Sequence, residues 1–176
     1  GLQDAYGKMP MGVCADATAK KYGFTREQQD AYAIQSYERA SAATDNGSFA
    51  DEIISVSVPQ RRGNAIIVAQ DEEYKKVLLE KIPNLRPVFK KEGTITAANA
   101  STINDGASAL ILMSKEKADE LKLKPLAKIK SYSDAAQEPE CFTTAPAKAL
   151  PIALKKASLN IDEIDETKED EENETS

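Results

Sequence analysis

Histidine and tryptophan are absent from this chain of 176 residues, and cysteine occurs only twice. Without an imidazole, neither thiol has the partner that most often takes the proton of a cysteine nucleophile. Cys14 and Cys141 stand far apart in sequence and are too few for a disulfide framework or a zinc site, which favours a reducing compartment. Aromatic residues make up 6% of the chain. No stretch approaches the roughly 18 consecutive apolar residues that suggest a membrane-spanning helix. Charge of one sign is also missing from the body. The net charge is −6, and residues 166–176 (ETKEDEENETS) alone account for −5. The near-neutral remainder has no field pointing to nucleic acid or to a membrane surface as partner. The acidic tail has no hydrophobic residue and is expected to be disordered. The sequence shows no signal peptide.

The chain is long enough to bury a core as one domain or one and a half. The spacing of small and apolar residues predicts a helix from Met11 to Lys21, with Val13, Ala17 and Ala19 inward and Gly23 as its stop. Thr25 and Gln28 have the spacing of a capping box, which opens a second helix reaching about Asp45. Ala31, Ile34, Tyr37 and Ala42 are its expected apolar face, and Asn46-Gly47 its end. Ile53 to Val58 alternates as a half-buried strand, ended at an edge by Pro59. Arg61 to Asn64 is a turn, and Ala65 to Ala69 a second short strand. A short helix and loop are predicted over Asp71 to Lys81, then irregular chain interrupted by Pro83 and Pro87. Further on, Ala107–Met113 and Leu126–Tyr132 are predicted strands. Between them, Lys115 to Leu121 is a helix with Ser114 as its N-cap. Pro146 to Ala157 is a last helix, tolerating Pro151 only with a kink.

The most informative stretch runs from Gly93 to Ser114, GTITAANASTINDGASALILMS. Alternating β-branched residues lead into very small side chains, Ala97-Ala98-Asn99-Ala100-Ser101, and then into the tight turn Asn104-Asp105-Gly106. Small side chains let a ligand, an ion or another backbone approach closely. With Met11-Gly12, Glu27-Gln28-Gln29-Asp30-Ala31-Tyr32-Ala33, Asp71-Glu72-Glu73-Tyr74, Val88-Phe89 and Ala145-Pro146, this stretch closely resembles the thiolase family, in its acetyl-CoA acetyltransferase branch. The resemblance covers Gly1 to about Asp165. It implies an α/β, thiolase-like fold containing a loop domain and incomplete parts of the two sheet-bearing halves. By position, 1–104 is the loop domain on the coenzyme A side, 105–133 the end of the first half, and 134–165 the start of the second.

Four catalytic elements of the family do not appear: an early nucleophilic Cys, an Asn-Glu-Ala-Phe segment, a Gly-His-Pro segment and a late Cys. The resemblance therefore implies a central fragment of an enzyme that transfers an acetyl group between acetyl-CoA and acetoacetyl-CoA, with no catalytic residue in this chain. Cys14, inside the first helix, reads as a buried structural thiol. Cys141, beside Glu138 and Glu140, reads as a poor nucleophile. Two alternatives stay open: an inactive truncated protein acting in binding or subunit association, and a 3-ketoacyl-CoA thiolase of different chain-length preference.

What remains is binding. Carried over position by position, Leu2, Met11 and Phe89 would contact the pantetheine arm of coenzyme A or acetyl-CoA. Tyr37 would lie near the cofactor. Lys76, Val77, Leu78 and Lys81 would lie beside the adenine and phosphates, and Ser101 would bond a pantetheine amide. Without the resemblance, Tyr37 and Phe89 read as core and Lys76 and Lys81 as solvated surface. Pro10 stands where many thiolases have His, which leaves acyl preference open. Potassium-activated members hold the ion through a Tyr and backbone carbonyls, which here implies Tyr37, Ala97, Ala98 and Ala100. Full-length members are homo-oligomers, and the implied compartment is cytoplasmic, alternatively mitochondrial.

Overall fold

A computed structural model describes residues 2–4 and 6–164. Gly1, Ala5 and residues 165–176 lie outside the described residues, and the expectation for the acidic tail lies there too. Helix α1 spans Met11–Tyr22 and stops at Gly23, whose φ of 74° is left-handed and whose N–H bonds Ala19 O. Lys20 and Lys21 occupy its last turn, where cations complement the helix dipole. The capping box forms as the sequence predicts: Gln28 N donates to Thr25 Oγ1 at 3.2 Å, and Thr25 N to Gln28 Oε1 at 2.9 Å. It opens α2, Arg26–Asp45, capped by Asn46.

The inward face of α2 differs from the expected one. Asp30 and Ala33 are buried and Ile34 and Tyr37 half-buried, whereas Ala31 and Ala42 are exposed. The inward stripe is turned by one position, because a carboxylate at Asp30 has partners waiting inside and the methyl group of Ala31 does not. On α1 the buried residues are Cys14, Asp16 and Ala19, while Ala17 faces outward.

Strands β1 (Val56–Val58) and β2 (Ile66–Val68) form an antiparallel hairpin in which Val56 pairs with Val68 and Val58 with Ile66. All six residues are exposed. The short helix expected within 71–81 is α3, Glu73–Lys76, after which Val77 turns extended before a 3₁₀ segment at Leu79–Asn84. The core sits where α1 and α2 meet that segment and the chain at 93–100. Its fully buried side chains are Cys14, Ile82 and Thr96, joined by Ile95 and Ala98.

Helix α4 (Lys115–Glu120) begins at Ser114, whose side chain accepts from Lys117 N as expected. Helix α5 (Ala145–Ala157) runs through Pro151 and ends at Ser158. It is bonded to the extended chain at 131–133, where Ser131 Oγ donates to Ala153 O and Ser133 Oγ to Ala149 O, each at 2.7 Å. A 3₁₀ turn, Pro139–Thr144, connects this region to α1, with Thr18 Oγ1 and Thr143 Oγ1 2.7 Å apart.

Two predicted strands do not form. Ala107–Met113 lies exposed, with Leu110 and Ile111 at 85% and 87% of full exposure, and Leu126–Tyr132 has no ladder either. Both have strand-like composition, but a strand exists only against a partner, and the described residues supply none.

Candidate functional site

The small-residue chain at 93–101 is held against the two long helices by buried polar groups. Asp16 Oδ1 on α1 accepts from Thr94 N at 2.7 Å and from Ile95 N at 3.2 Å. Gly93 is required there, since a Cβ on it would come within 2.5 Å of Asp16 Oδ2. On α2, Gln29 Nε2 donates to Thr94 Oγ1 at 3.1 Å. Further along the loop, Asn99 Nδ2 donates to Asp30 Oδ1 at 2.9 Å and to Thr94 O at 3.0 Å. Asn99 Oδ1 in turn accepts from Thr96 N at 2.7 Å, which closes the loop on itself. Thr96 Oγ1 accepts from Ala98 N and Asn99 N, each at 3.3 Å. Asp30 is anchored from behind by Arg26, whose Nε lies 2.7 Å from Asp30 Oδ2 and whose Nη2 donates to Ile82 O and Leu85 O at 3.0 Å.

A second group gathers at the start of α1. Met11 N donates to Leu2 O at 3.1 Å, and Asp4 N to Met9 O at 2.9 Å. The ring of Phe89 lies directly over Gly12, so close that a Cβ there would sit 2.0–2.5 Å from its carbons. The structure thus brings Leu2, Met11 and Phe89 together. Leu2 and Phe89 keep much of their surface open, at 67% and 41% exposure.

The other residues that the resemblance implies lie on α2, on α3 and just after it, and in the 93–101 loop. Tyr37 is half-buried on α2, and burial, with a smaller push from the charge of Glu73 on α3, raises its phenol above the ordinary value. Lys76 ends α3 in an exposed ion pair with Glu72, Nζ to Oε2 being 2.9 Å. That pair lowers the Glu72 carboxyl and raises the Lys76 ammonium. Val77 is half-buried, and Leu78, Lys81 and Ser101 are exposed. Of the alanines implied in ion binding, Ala98 is buried, Ala100 half-buried and Ala97 exposed.

Of the two thiols, Cys14 is buried and Cys141 half-buried. Burial pushes the Cys14 thiol up, and the charges of Asp4 and Glu140 add to the effect. The residues that sequence reasoning missed are the polar ones that build the loop: Asp16, Arg26, Gln29, Asp30 and Asn99. Asp30 was inside a matching segment, but as one acid on a polar helix it carried no signal of burial.

The sequence profile "Thiolase, N-terminal domain" matches residues 1–116, and "Thiolase, C-terminal domain" matches residues 123–174. This chain belongs to the thiolase family, and its fold is part of a thiolase-like α/β fold. It is 56% identical over 165 residues to a "Probable acetyl-CoA acetyltransferase" of Dictyostelium discoideum, covering 94% of this chain and 40% of that protein. To "Acetyl-CoA acetyltransferase, mitochondrial" of Rattus norvegicus it is 51% identical, covering 93% and 39% respectively. Among solved structures it resembles the Acat5 thiolase of Ascaris suum in complex with coenzyme A, with a TM-score of 0.85 and 49% identity over 93% of this chain and 42% of that one. The acetyl-CoA acetyltransferase of Bacillus anthracis superposes with a TM-score of 0.89 at 37% identity, over the same shares. The chain therefore spans about 40% of the length of the relatives it matches.

Proposed function

We propose that this chain is the coenzyme-A-binding portion of an acetyl-CoA C-acetyltransferase. The observation that carries the reading is the convergence of Leu2, Met11 and Phe89 at the start of α1, in a chain that superposes on a thiolase solved with coenzyme A. Apolar side chains suit the pantetheine arm, the hydroxyl of Ser101 suits one of its amides, and the ammonium groups of Lys76 and Lys81 suit the phosphates. Lys76 reaches a phosphate only by leaving Glu72, an exchange that solvent makes inexpensive at an exposed pair.

In the reaction proposed for the whole protein, an acetyl group passes between a thiolate and coenzyme A, and a carbon–carbon bond forms or breaks beside a thioester. Both steps need a thiolate and a proton carrier. Cys14 is buried with its thiol pushed up, and the chain has no histidine. The reacting groups of the whole enzyme are thus assigned to polypeptide outside this sequence. Alone, this chain binds and does not turn over. Potassium fits the same region by donor chemistry. The backbone carbonyls of Ala97, Ala98 and Ala100 and the phenol of Tyr37 are oxygen donors of the kind that suit a hard monovalent ion. The name of the rat relative favours the mitochondrial alternative for the compartment. Association with further thiolase subunits is proposed by the same resemblance.

Two measurements on the purified chain test the reading. Acetoacetyl-CoA cleavage is expected at background. Turnover above it would return Cys14 and Cys141 to consideration. Titration calorimetry is expected to give weak heat with coenzyme A, lost on combining Ser101→Ala with Lys81→Ala. Tight binding that ignores both changes would show the assigned contacts to be wrong.

A further inference from the structure

The polar groups under the 93–101 loop are unusual in where their hydrogen bonds go. Asp16 and Asp30 are 8% and 4% exposed. Taking a carboxylate out of water costs several kcal/mol by rough estimate, and well-packed apolar side chains often serve stability as well or better. Neither acid joins α1 to α2. Apart from the pair of Asp30 with Arg26, their bonds run to one loop distant in sequence. Asp16 bonds the backbone N–H groups of Thr94 and Ile95, and Asp30 bonds Asn99, 69 residues away.

Beyond Ile95 and Thr96, which are buried in the core, and the bond from Val88 N to Ile95 O, the loop has little packing to hold it. Ala97, Ala98 and Ala100 carry one methyl group each, and a buried CH₂ or CH₃ group contributes only about 0.8 kcal/mol. Packing alone leaves such a chain with many conformations of similar energy. The polar bonds pick one. Asn99 is the hub, since its amide nitrogen ties helix to loop and its oxygen ties the loop to itself.

We propose that Asp16, Asp30 and Asn99 are positioning residues, which set the conformation of the 94–101 loop and thereby the presentation of Ser101 and the Ala97–Ala100 backbone to coenzyme A, without touching the ligand. The ligand named here rests on the proposed function, whereas the control of the loop does not.

The test is Asn99→Asp, which replaces the donor facing Asp30 and Thr94 O by an acceptor while keeping the oxygen that Thr96 N bonds. Its companion, Asp30→Asn with Asn99→Asp, exchanges donor and acceptor. The new amide at position 30 then donates to the new carboxylate at position 99, and its oxygen still accepts from Arg26, so one of the two lost bonds returns. Hydrogen exchange and coenzyme A calorimetry are run on the full 176-residue chain. For Asn99→Asp, exchange is expected to quicken at least about tenfold at residues 94–101, with the amides of α1 and α2 unchanged, and coenzyme A to bind about tenfold more weakly. Tenfold corresponds to about 1.4 kcal/mol, the scale of one net hydrogen bond. The double variant is expected to recover part of both effects. Equal acceleration across helices and loop would make the network a general structural support and overturn the proposal. Unchanged coenzyme A affinity beside a loosened loop would overturn the ligand-presenting role. If the wild-type chain shows no heat with coenzyme A, the proposed function fails, and the exchange pattern still decides whether these residues set the loop.

Discussion

Replacing Gly12 by alanine puts two effects in opposition, and the structure says which wins. Gly12 lies in the first turn of α1. Inside a helix, Gly→Ala is worth about 0.8–1.0 kcal/mol in favour of alanine, less near an end. Against that, the new Cβ would lie 2.0, 2.1 and 2.5 Å from three carbons of the Phe89 ring. Real contacts need about 3.5 Å or more, so the ring has to move by more than about 1 Å. Overpacking of this kind costs about 1–3 kcal/mol. Phe89 is 41% exposed and has somewhere to go, which favours the lower half of that range. Gly12→Ala should therefore destabilise the chain by about 1 kcal/mol net, a fall of roughly 2–4 °C in Tm for a chain of this size. In a Phe89→Ala background the clash is gone. There the same change should stabilise, by about 0.5 kcal/mol. Urea unfolding of the four proteins in the cycle reads the coupling directly. If Gly12→Ala stabilises both backgrounds equally, the ring does not rest on the start of α1, and the proposed pantetheine contacts lose their geometric basis.

Two further outcomes follow from local chemistry. Thr25→Ala removes one side of the capping box and should cost about 1 kcal/mol, read as a lower Tm, with Thr25→Ser restoring most of it; an unchanged Tm in both variants would contradict the box. The Cys14 thiol is raised above 9.0 by burial first, so the folded state holds that proton more tightly than the unfolded chain does. Its contribution to stability is complete below pH 9.0 and lost as pH climbs through the folded value. Cys14→Ser should flatten the loss of stability above about pH 9, and a thiol reagent at about pH 8 should modify Cys141 well before Cys14. Equal labelling rates would place Cys14 in solvent.

Local signals were read well from the sequence, and partnered ones poorly. The capping box, the Gly23 stop and the Ser114 N-cap each depend on residues close in the chain, and all appear; the two short strands on either side of Arg61–Asn64 also form, but exposed rather than half-buried, because the described residues bring no layer against them. Ala107–Met113 and Leu126–Tyr132 failed as strands because strand composition describes a surface that fits a sheet, and does not supply the sheet. The α2 face was misjudged because Asp30 counts as polar in any pattern of alternation, yet its partners Arg26 and Asn99 make burial possible. Of the proposed site, the nearness of Leu2, Met11 and Phe89 at the start of α1 has a counterpart in the family resemblance, which implies contacts for all three. The network beneath the 94–101 loop was not, because its bonds join residues 65 to 79 positions apart and no local spacing encodes them.

Those separations also bear on how the chain folds. Helices α1 and α2 adjoin in sequence, joined by the short connection of residues 23–25. The Asp16, Gln29 and Asp30 bonds instead close loops of 65 to 79 residues, and the exposed β1–β2 hairpin lies within each of them. The entropy of closing such a loop must be met before any of its bonds forms, which makes docking of the 94–101 segment a late event on a slow, non-local route. Closure entropy rises only logarithmically with length, by about 0.6 kcal/mol per doubling. The hairpin is therefore a place where the chain can lengthen or shorten at little thermodynamic expense, while the geometry of the small-residue loop stays fixed from the other side of the excursion.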